Sequence, residues 1–537
     1  MNISRLLHRY LILSIILMIS ALGVHPIPND DNDRDIRHNP DIPDQEQIIP
    51  GSKNIAQYPF INYNLNYIDL NGQSWASLAQ KLSLARHDGT FKVVHIGDSH
   101  IQAEGNTSIV RQKLQDIYGN AGRGLIIPFR LAGTNQPLDY RITSSTTHTT
   151  AKLLKKPWAT TMGFTGISIS TPNSPFTLSL SNASPVDAIT IHGNGDIDVI
   201  SVSTPEGNKI GFKTSSQSTK GVSINLAHPV QGNIDIIVNA HHGNIYGIEL
   251  KRDHHGILYS AIGNNGATFS TYNDIPDFAN GIHALDPDLI IIALGTNEAF
   301  GKLSDNEFYN QIRSLVNNIR RANPAAQLLL VTPSECQRSV YRTITSGSKR
   351  KRRRRRVRSF AVNSNVARMA NVIRQFGAEN HIPVYDFYNI AGGKGASDLW
   401  LKNRLLSNDR IHRTWAGYRV EGQLLAQALY NAIAQDNNTD DNHTPDQVQQ
   451  QINQAMSIAF SPNKNNHRQS TEKSDTDLNK DNKQQVNSPN KQPDHKVKHS
   501  SKKKKSTSTK NKRLKKSRKK HNSKAYKNKK RSSRRHR

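Results

Sequence analysis

The stretch Phe91-Lys92-Val93-Val94-His95-Ile96-Gly97-Asp98-Ser99-His100 decides the fold of this chain. Its first six residues are mostly apolar and rich in β-branched side chains, which predicts a buried strand. Gly97 and Asp98 then predict a sharp turn that holds Ser99 at the end of the strand. A serine in this position is most often an ordinary turn residue, so a functional interpretation needs other residues that can activate its hydroxyl.

Such residues occur far downstream, in Ser407-Asn408-Asp409-Arg410-Ile411-His412. A serine hydroxyl is a weak nucleophile until a neutral imidazole accepts its proton. Asp409 precedes His412 by three residues, so from the same loop it can contact Nδ1 of the imidazole and fix its tautomer. Together with Ser99, these two residues have the composition that a covalent esterase needs.

Two further turns follow predicted strands and supply hydrogen-bond donors. Gly266 follows the apolar run Gly256–Tyr259, and Asn297 follows Asp288–Leu294, the clearest buried strand in the chain. Acyl transfer places negative charge on the former carbonyl oxygen, which needs donors aimed at it in advance. A glycine N–H can approach closely, and an asparagine amide is another donor. Taken singly, a turn glycine and a helix-capping asparagine are the simpler interpretations.

As a set, these blocks resemble the SGNH (GDSL-type) hydrolases, in the order Gly97-Asp98-Ser99-His100, Gly266, Gly295-Thr296-Asn297 and Asp409-Arg410-Ile411-His412. The resemblance implies that Ser99 is the nucleophile, His412 the general base and Asp409 its orienting carboxylate. It also implies that the backbone N–H of Ser99 forms an oxyanion hole with Gly266 and Asn297. The sequence assigns no catalytic role to Asp98 or His100. We expect Asp98 to hydrogen-bond to the backbone of the turn and His100 to pack beneath it.

One variant of the family is closer than the others. His100 stands where many members carry Leu, and this feature is similar to the bacterial peptidoglycan O-acetylesterases, as are Asn297-Glu298, Ala391-Gly392-Gly393 and Trp400. The resemblance implies an esterase that removes O-acetyl groups from a cell-wall glycan, with acetylated muramic acid of peptidoglycan as the leading substrate. A carbohydrate O-acetyltransferase or another carbohydrate acetylesterase with the same site remains an alternative. A non-catalytic polyanion- or wall-binding protein is a third interpretation.

The resemblance covers residues 59–130 and 256–435 and implies an α/β fold, a flavodoxin-like three-layer sandwich with a parallel sheet. The pattern in these two parts agrees, and it predicts an amphipathic helical segment within Tyr58–Leu84, helices at Ser304–Ala322, Phe360–Gly377 and Thr414–Ala434, and strands at Gln327–Thr332 and Ile382–Phe387. Ser304-Asp305-Asn306-Glu307 predicts a capping box at the start of the first of these helices.

Residues 131–255, between the two parts, change to short alternating runs separated by turn residues. The runs are Gly166–Ser170, Phe176–Leu180, Ala188–His192, Ile197–Val202, Gly221–Ile224, Ile234–Val238 and Tyr246–Leu250. Short strands at intervals of about 8–12 residues predict an inserted β-sandwich. An insert at this point resembles the carbohydrate-binding modules of the peptidoglycan esterases, while a structural insert without a ligand remains open.

The amino terminus predicts export. Arg5 and Arg9 precede an apolar segment, Tyr10–Val24, that is short for a membrane span and ends near small residues. We therefore expect a signal peptide at residues 1–23, with an uncleaved anchor as the alternative, followed by an acidic linker at 24–58. The expected location is the periplasm or cell envelope, or the medium. The single cysteine, Cys336, allows no intrachain disulfide, and we expect neither a metal site nor a cofactor.

The basic charge of the chain is concentrated in two segments. The formal net charge is +30, yet residues 461–537 alone carry 28 Lys and Arg against 5 Asp and Glu. Lys349–Arg358 adds nine more cations, so the remainder of the chain is close to neutral. We expect residues 436–537 to form a disordered basic tail and 349–358 to form a basic loop at the ligand-binding edge of the sheet. Both segments would attract an anionic wall polymer, a membrane surface or DNA.

Overall fold

The computed structural model describes residues 58–346 and 352–436. The predicted signal peptide, nearly all of the acidic linker and of the basic tail, and residues 349–351 of the basic loop lie outside this part of the chain. Among the helices described, none has the length and apolar character to span a bilayer.

The structure contains sixteen strands and ten α-helices within the described ranges. The strands are β1 (Ile68–Asp69), β2 (Thr90–Gly97), β3 (Gly124–Ile126), β4 (Tyr140–Ser144), β5 (Thr150–Lys152), β6 (Ile167–Ser170), β7 (Phe176–Ser203), β8 (Lys209–Ile210), β9 (Phe212–Ser218), β10 (Gly221–Lys251), β11 (Gly256–Gly263), β12 (Leu289–Ala293), β13 (Gln327–Val331), β14 (Gln337–Ser346), β15 (Arg353–Val362) and β16 (Val384–Tyr385). The helices are α1 (Ala76–Leu84), α2 (Ser99–Gln102), α3 (Thr107–Tyr118), α4 (Phe269–Asn273), α5 (Phe278–His283), α6 (Asp305–Ala322), α7 (Asn365–Glu379), α8 (Phe387–Ile390), α9 (Ala396–Lys402) and α10 (Trp415–Asp436). Short 3-10 helices cover Tyr63–Leu65 and Glu298–Phe300.

The central sheet has six strands in the order β1-β16-β13-β12-β2-β11. Five of them, β2, β11, β12, β13 and β16, are parallel. Counted first to fifth along the chain, they lie across the sheet in the order 2-1-3-4-5, which is typical of flavodoxin-like folds. The prediction of a parallel sheet is wrong at one edge, because β1 pairs antiparallel with β16. An edge strand has only one neighbour, so it can enter the sheet in either direction without disturbing the parallel strands.

Side chains of β2 point alternately to two cores, which gives the fold its layers. Phe91 and Val93 belong to one cluster, with apolar residues of α1, α3 and α10. Val94 and Ile96 belong to the other, with residues of α4, α5, α6 and α7. The predicted three-layer arrangement follows from this alternation, since each face of the sheet buries its side chains under a helical layer.

Two predicted helices have different boundaries in the structure. The helix predicted from Phe360 begins at Asn365, because residues 360–362 pair with β14. Within Tyr58–Leu84, only Ala76–Leu84 is α-helical. The predicted capping box is confirmed: Oγ of Ser304 accepts the N–H of Glu307 at 3.2 Å, and Oε2 of Glu307 accepts the N–H of Ser304 at 2.8 Å.

The insert is all-β and antiparallel, but its strands are longer than the sequence predicts. Three predicted short strands are joined in β7 and three more in β10, within one eight-stranded sheet. Ile236 of β10 pairs with Leu178 on one side and with Val202 on the other, so β7 turns around β10. Several register shifts along this pair let the strands bend without ending. The insert shares a core with Val94 and Ile96, so it packs directly on the α/β layer.

Within the described part of the basic segment, residues 353–358 belong to strand β15 and do not form the predicted loop. β14 and β15 form a two-stranded antiparallel hairpin from Gln337↔Val362 to Ser346↔Arg353. The run of arginines shows no apolar alternation, so the sequence carried no strand signal. The hairpin leaves the carboxyl end of β13, which is the edge of the sheet where the Ser99 turn lies.

Candidate active site

Ser99 begins helix α2 directly after strand β2. Oδ1 of Asp98 caps the helix by accepting the N–H of His100 at 2.9 Å, as expected from the sequence. Gly97 lies beside Gly263 and Ala293 in the register of the sheet. A Cβ at Gly97 would stand 2.2 Å from Cγ1 of Ile101, so a side chain would prevent the helix from folding back on the strand. These contacts hold Ser99 half-buried at the carboxyl edge of the central strand.

The structure brings Ser99, His412 and Asp409 together in one hydrogen-bonded chain. Oγ of Ser99 lies 2.8 Å from Nε2 of His412, and Nδ1 of His412 lies 2.6 Å from Oδ2 of Asp409. The His412 side chain is 20% exposed and that of Asp409 9% exposed, so the imidazole is accessible while its carboxylate is shielded. The arrangement permits the imidazole to take a proton from the hydroxyl while Asp409 holds the opposite ring nitrogen.

The loop that carries Asp409 is built to keep its carboxylate ionised. Oδ1 accepts the hydroxyl of Ser407 at 2.6 Å, the N–H of Ile411 at 2.8 Å and the N–H of His412 at 2.9 Å. Burial by itself raises the pKa of Asp409, but the bond and charge of His412 and the bonds from Ser407 and Ile411 outweigh it and hold the pKa well below its usual range. Sequence reasoning missed Ser407; a serine two residues before an aspartate in a turn is the available signal.

Gly266 lies in a tight turn after β11, with φ +76°. The turn closes through the N–H of Ala267, which donates to the carbonyl of Asn264 at 3.0 Å. Within the described ranges, no acceptor is assigned to the backbone N–H of Gly266 or of Ser99. Both predicted backbone donors are therefore available to a substrate oxygen.

Asn297 is also at this edge, but its amide is engaged. Nδ2 donates to the carbonyl of Ala267 at 2.9 Å and to Oδ2 of Asp98 at 3.2 Å. An amide nitrogen has two hydrogens, so neither is left over for an oxyanion in this arrangement. Asn297 thus lies next to the turn that precedes Ser99, as the sequence predicts, with its donors directed at two protein acceptors.

The insert contacts the turn that carries Gly266. Oε1 of Gln102 accepts the N–H of Asn265 at 2.6 Å, and Oδ1 of Asn135, from the insert, accepts Nε2 of Gln102 at 2.6 Å and Nδ2 of Asn265 at 2.7 Å. Leu154, also from the insert, lies so close that its Cδ1 would be 2.5 Å from a Cβ on Gly266. Residues 131–255 therefore form one side of the site, which the strand pattern alone did not indicate.

Two buried carboxyl groups beneath the site have raised pKa values. Burial raises the pKa of Asp98 to about 6, against the N–H of His100 and the charge of His412, which lower it. Burial raises the pKa of Glu298 to about 7, although its Oε1 accepts the N–H of Phe269 at 2.8 Å. Sequence reasoning assigned no function to either carboxyl group; a raised pKa beside a nucleophile makes each a candidate for a role at the site.

His100 contacts the imidazole of His412 rather than only packing under the turn. The two ring centroids are 5.2 Å apart, and Nδ1 of His100 lies 3.2 Å from the hydroxyl of Tyr418. Burial, followed by the charges of His412 and Arg413, lowers the pKa of His100 well below its usual value. His100 is therefore neutral and adds no charge beside His412 at neutral pH. In the described part of the chain, no cluster of His, Cys, Asp and Glu is arranged to hold a metal ion.

Comparison with known proteins shows what this chain is similar to. Residues 244–420 match the GDSL-like Lipase/Acylhydrolase family, a range that includes Gly266, Asn297, Asp409 and His412 and begins after Ser99. A solved structure of a peptidoglycan O-acetylesterase is 20% identical with a TM-score of 0.53, and the match covers 68% of this chain and 98% of that one. This similarity shows that the fold is shared.

Two other solved structures are more distant. A lipase/acylhydrolase from Enterococcus faecalis is 17% identical with a TM-score of 0.23, over 33% of this chain and 77% of that one. A carbohydrate esterase family 2 enzyme with a carbohydrate binding domain, from Corynascus thermopiles (Myceliophthora fergusii), is 14% identical with a TM-score of 0.23, over 50% and 96%. At such TM-scores these two similarities carry no conclusion. Among curated proteins, none matches the sequence. Residues 244–420 thus match the GDSL-type family, and this match together with the site geometry identifies the protein as a carboxylic ester hydrolase.

Proposed function

We propose that this protein is an exported serine esterase that removes O-acetyl groups from peptidoglycan. The observation that carries the proposal is the hydrogen-bonded chain from Oγ of Ser99 through His412 to Asp409, with distances of 2.8 and 2.6 Å. The peptidoglycan substrate is supported by the His100 variant of the first motif and by the fold shared with a peptidoglycan O-acetylesterase. Export rests on the apolar segment Tyr10–Val24.

In the proposed reaction, Nε2 of His412 takes the proton of Ser99 as Oγ attacks the acetyl carbonyl. The C–O bond to the sugar then breaks, and His412 returns the proton to the sugar oxygen, leaving acetyl-Ser99. Water, deprotonated by the same imidazole, then attacks the acetyl carbonyl. The bond to Oγ of Ser99 breaks, His412 returns the proton to that oxygen, and acetate leaves. The N–H groups of Ser99 and Gly266 stabilise the oxyanion in both steps, and Asp409 stabilises the imidazolium that forms in each.

The test compares wild type with Ser99→Ala on O-acetylated peptidoglycan. We expect wild type to release acetate and the variant to be slower by on the order of 10⁴- to 10⁶-fold, because triad removals have effects of this size. The variant should keep its melting temperature, since Ser99 is only half-buried and loses a single oxygen. Near-wild-type acetate release by folded Ser99→Ala would contradict the mechanism. Turnover of small acetyl esters without release from peptidoglycan would contradict the substrate but not the mechanism.

A further inference from the structure

One face of the β14–β15 hairpin presents a row of arginines. Residues directly opposite each other in an antiparallel pair place their side chains on the same face. Arg358 is opposite Tyr341, and Phe360 is opposite Ser339. Arg354 and Arg356 follow at alternate positions of the same strand, so they share this face. We call Arg354, Arg356 and Arg358, with Tyr341 and Phe360, the arginine face.

Two of the three guanidinium groups of this face, those of Arg356 and Arg358, stack on aromatic rings and do not pair with acids. Cζ of Arg356 lies 4.3 Å from the ring centroid of Tyr341, and Cζ of Arg358 lies 5.0 Å from that of Phe360. Residues 337–362 contain no Asp or Glu. The arginine ion pairs found in the described ranges belong to other residues, namely Arg111, Arg123, Arg368, Arg374 and Arg413. Nε of Arg358 donates to Oγ of Ser339 at 2.9 Å, and its two terminal nitrogens have no acid to pair with in the described ranges. A guanidinium stacked on a ring can still present N–H groups at its edge to a planar anion.

The arginine face ends at the loop that carries Asp409 and His412. At the base of the hairpin, the N–H of Gln337 donates to the carbonyl of Arg410 at 2.9 Å. Cζ of Arg410 lies 5.1 Å from the ring of Phe360, the same ring that Arg358 approaches. Alternate residues of a strand are about 7 Å apart, so the three strand arginines form an extended row. Arg410 continues that row to within two residues of His412.

We propose that the arginine face binds the carboxylates of a peptidoglycan strand, those of its peptides included, while an acetyl ester of the same strand lies over Ser99. The inference rests on the proposed function and names the feature of the substrate that this surface recognises. Guanidinium groups pair with carboxylates through two parallel hydrogen bonds. Because the row of arginines reaches the catalytic loop, a single polymer strand that lies along the row extends into the active site. A single-stranded nucleic acid fits less well, since it binds by stacking bases on open aromatic rings and guanidiniums cover Tyr341 and Phe360.

The experiment compares two triple variants of the full chain that lose equal charge. Arg354→Gln/Arg356→Gln/Arg358→Gln removes the arginine face. Arg338→Gln/Arg342→Gln/Arg355→Gln is the matched control. Arg355 lies between Arg354 and Arg356 in β15, and Arg338 and Arg342 are opposite Ala361 and Val357, so all three lie on the other face of the hairpin. The substrates are soluble O-acetylated peptidoglycan fragments that keep the carboxylates of their peptides, and the same fragments with those carboxylates amidated. Acetate release gives kcat and KM for each pair.

We expect the arginine-face triple to lower kcat/KM on the carboxylate fragments about 10-fold, mainly through KM, because three exposed ion pairs are lost. The matched control should stay within about 2-fold of wild type. On the amidated fragments the two triple variants should have equal kcat/KM. Equal effects of the two triples on the carboxylate fragments, or an equally large effect of the arginine-face triple on amidated ones, would overturn the inference.

A binding measurement separates this inference from the proposed function. In a Ser99→Ala background, labelled de-O-acetylated fragments should bind more weakly to the arginine-face triple than to the control, whether or not wild type releases acetate. If wild type releases no acetate, the proposed function fails while this comparison still tests the surface. A single-stranded oligonucleotide that binds more tightly than the fragments, through the same three arginines, would overturn the glycan as the occupant.

Discussion

Nδ2 of Asn297 lies 3.2 Å from Oδ2 of Asp98, the buried residue that precedes Ser99. Oδ1 of the same carboxyl accepts the N–H of His100 at 2.9 Å, so one side chain holds both the Ser99 turn and the Asn297 amide. Nδ2 of Asn297 also donates to the carbonyl of Ala267, at 2.9 Å. The bond to Asp98 is the longer of the two, so it is the one that a substrate oxygen can replace at the smaller cost in free energy. We infer that Asp98 acts as a positioning residue, keeping the amide of Asn297 aimed at the reacting centre in the free enzyme.

Asp98→Asn should lower kcat about 10-fold with little change in KM, because the amide places an NH2 group where one of the two oxygens that accept from His100 and Asn297 stands. Asn297→Ala should lower kcat about 10²- to 10³-fold, the usual effect of losing an oxyanion donor. The check is the double variant. If Asp98 acts through Asn297, the double variant should be no slower than Asn297→Ala alone. If the two losses in kcat multiply, Asp98 has an independent role.

The main features of the fold and the positions of the site residues could be predicted because they depend on local patterns. Buried strands such as Asp288–Leu294 are recognisable as apolar runs, and the carboxyl ends of parallel strands meet at one edge. For this reason the amino-acid sequence alone predicts that Ser99, Gly266 and Asn297 lie near each other. The approach of Asp409 and His412 to this edge followed from the resemblance.

Other features depend on contacts that no local pattern records. Leu154 meets Gly266 across more than a hundred residues of chain, inside an insert whose strands gave no indication of its orientation. The hydrogen bonds of Asn297 depend on a side-chain rotamer. The β14–β15 hairpin pairs a run of arginines that carries no strand signal, and it is the pairing that divides those arginines between two faces.

The buried carboxyl of Glu298 should make stability fall as pH rises. Its pKa is raised from 4.5 to about 7 by burial, so between these values the folded protein binds a proton that the unfolded chain has released. Stability contributed by the neutral form is full below about pH 4.5 and is lost by about pH 7. At 1.36 kcal/mol per pKa unit, the loss is on the order of 3 kcal/mol.

The measurement is the free energy of unfolding from urea titrations at several pH values between about 4.5 and 8. Glu298→Gln keeps an oxygen for the N–H of Phe269 but cannot ionise, so its stability should fall less with pH than that of wild type. The exposed Glu379→Gln is the control and should follow the wild-type slope. A Glu298→Gln profile parallel to wild type would mean that this carboxyl does not titrate in the window.

The pH dependence of turnover should come from the imidazole of His412 and not from Asp409. Hydrogen bonds and the charge of His412 hold the pKa of Asp409 well below its usual range, so the carboxylate stays ionised throughout the working pH range. His412 must be neutral to accept the Ser99 proton, and kcat/KM should therefore rise with pH as the imidazole loses its proton. A flat profile from about pH 5 to 9, with chemistry limiting the rate, would contradict this role for His412.

Asp409→Asn should lower kcat on the order of 10⁴-fold, because the amide no longer fixes the tautomer of His412 or stabilises its positive charge. Ser407→Ala should have a much smaller effect, about 10-fold or less, since it removes only one of the bonds to Oδ1 of Asp409. Both variants are measured by steady-state hydrolysis of a small acetyl ester. Equal losses in the two would show that Ser407 takes part in the reaction and does more than hold the loop.

Gly266→Ala should lower kcat about 10²-fold, and part of the loss should be recovered by removing a side chain of the insert. The new Cβ would stand 2.5 Å from Cδ1 of Leu154, and φ at this position is +76°, which side chains rarely adopt. Both effects would move the N–H of Gly266, which we propose as a donor to the oxyanion. In Gly266→Ala/Leu154→Ala the clash is gone and only the backbone strain remains, so kcat should rise above that of the single variant. The same recovery should appear in the melting temperature. A double variant as slow as Gly266→Ala would mean that the strained turn alone sets the loss, and that the insert does not constrain the oxyanion hole through Leu154.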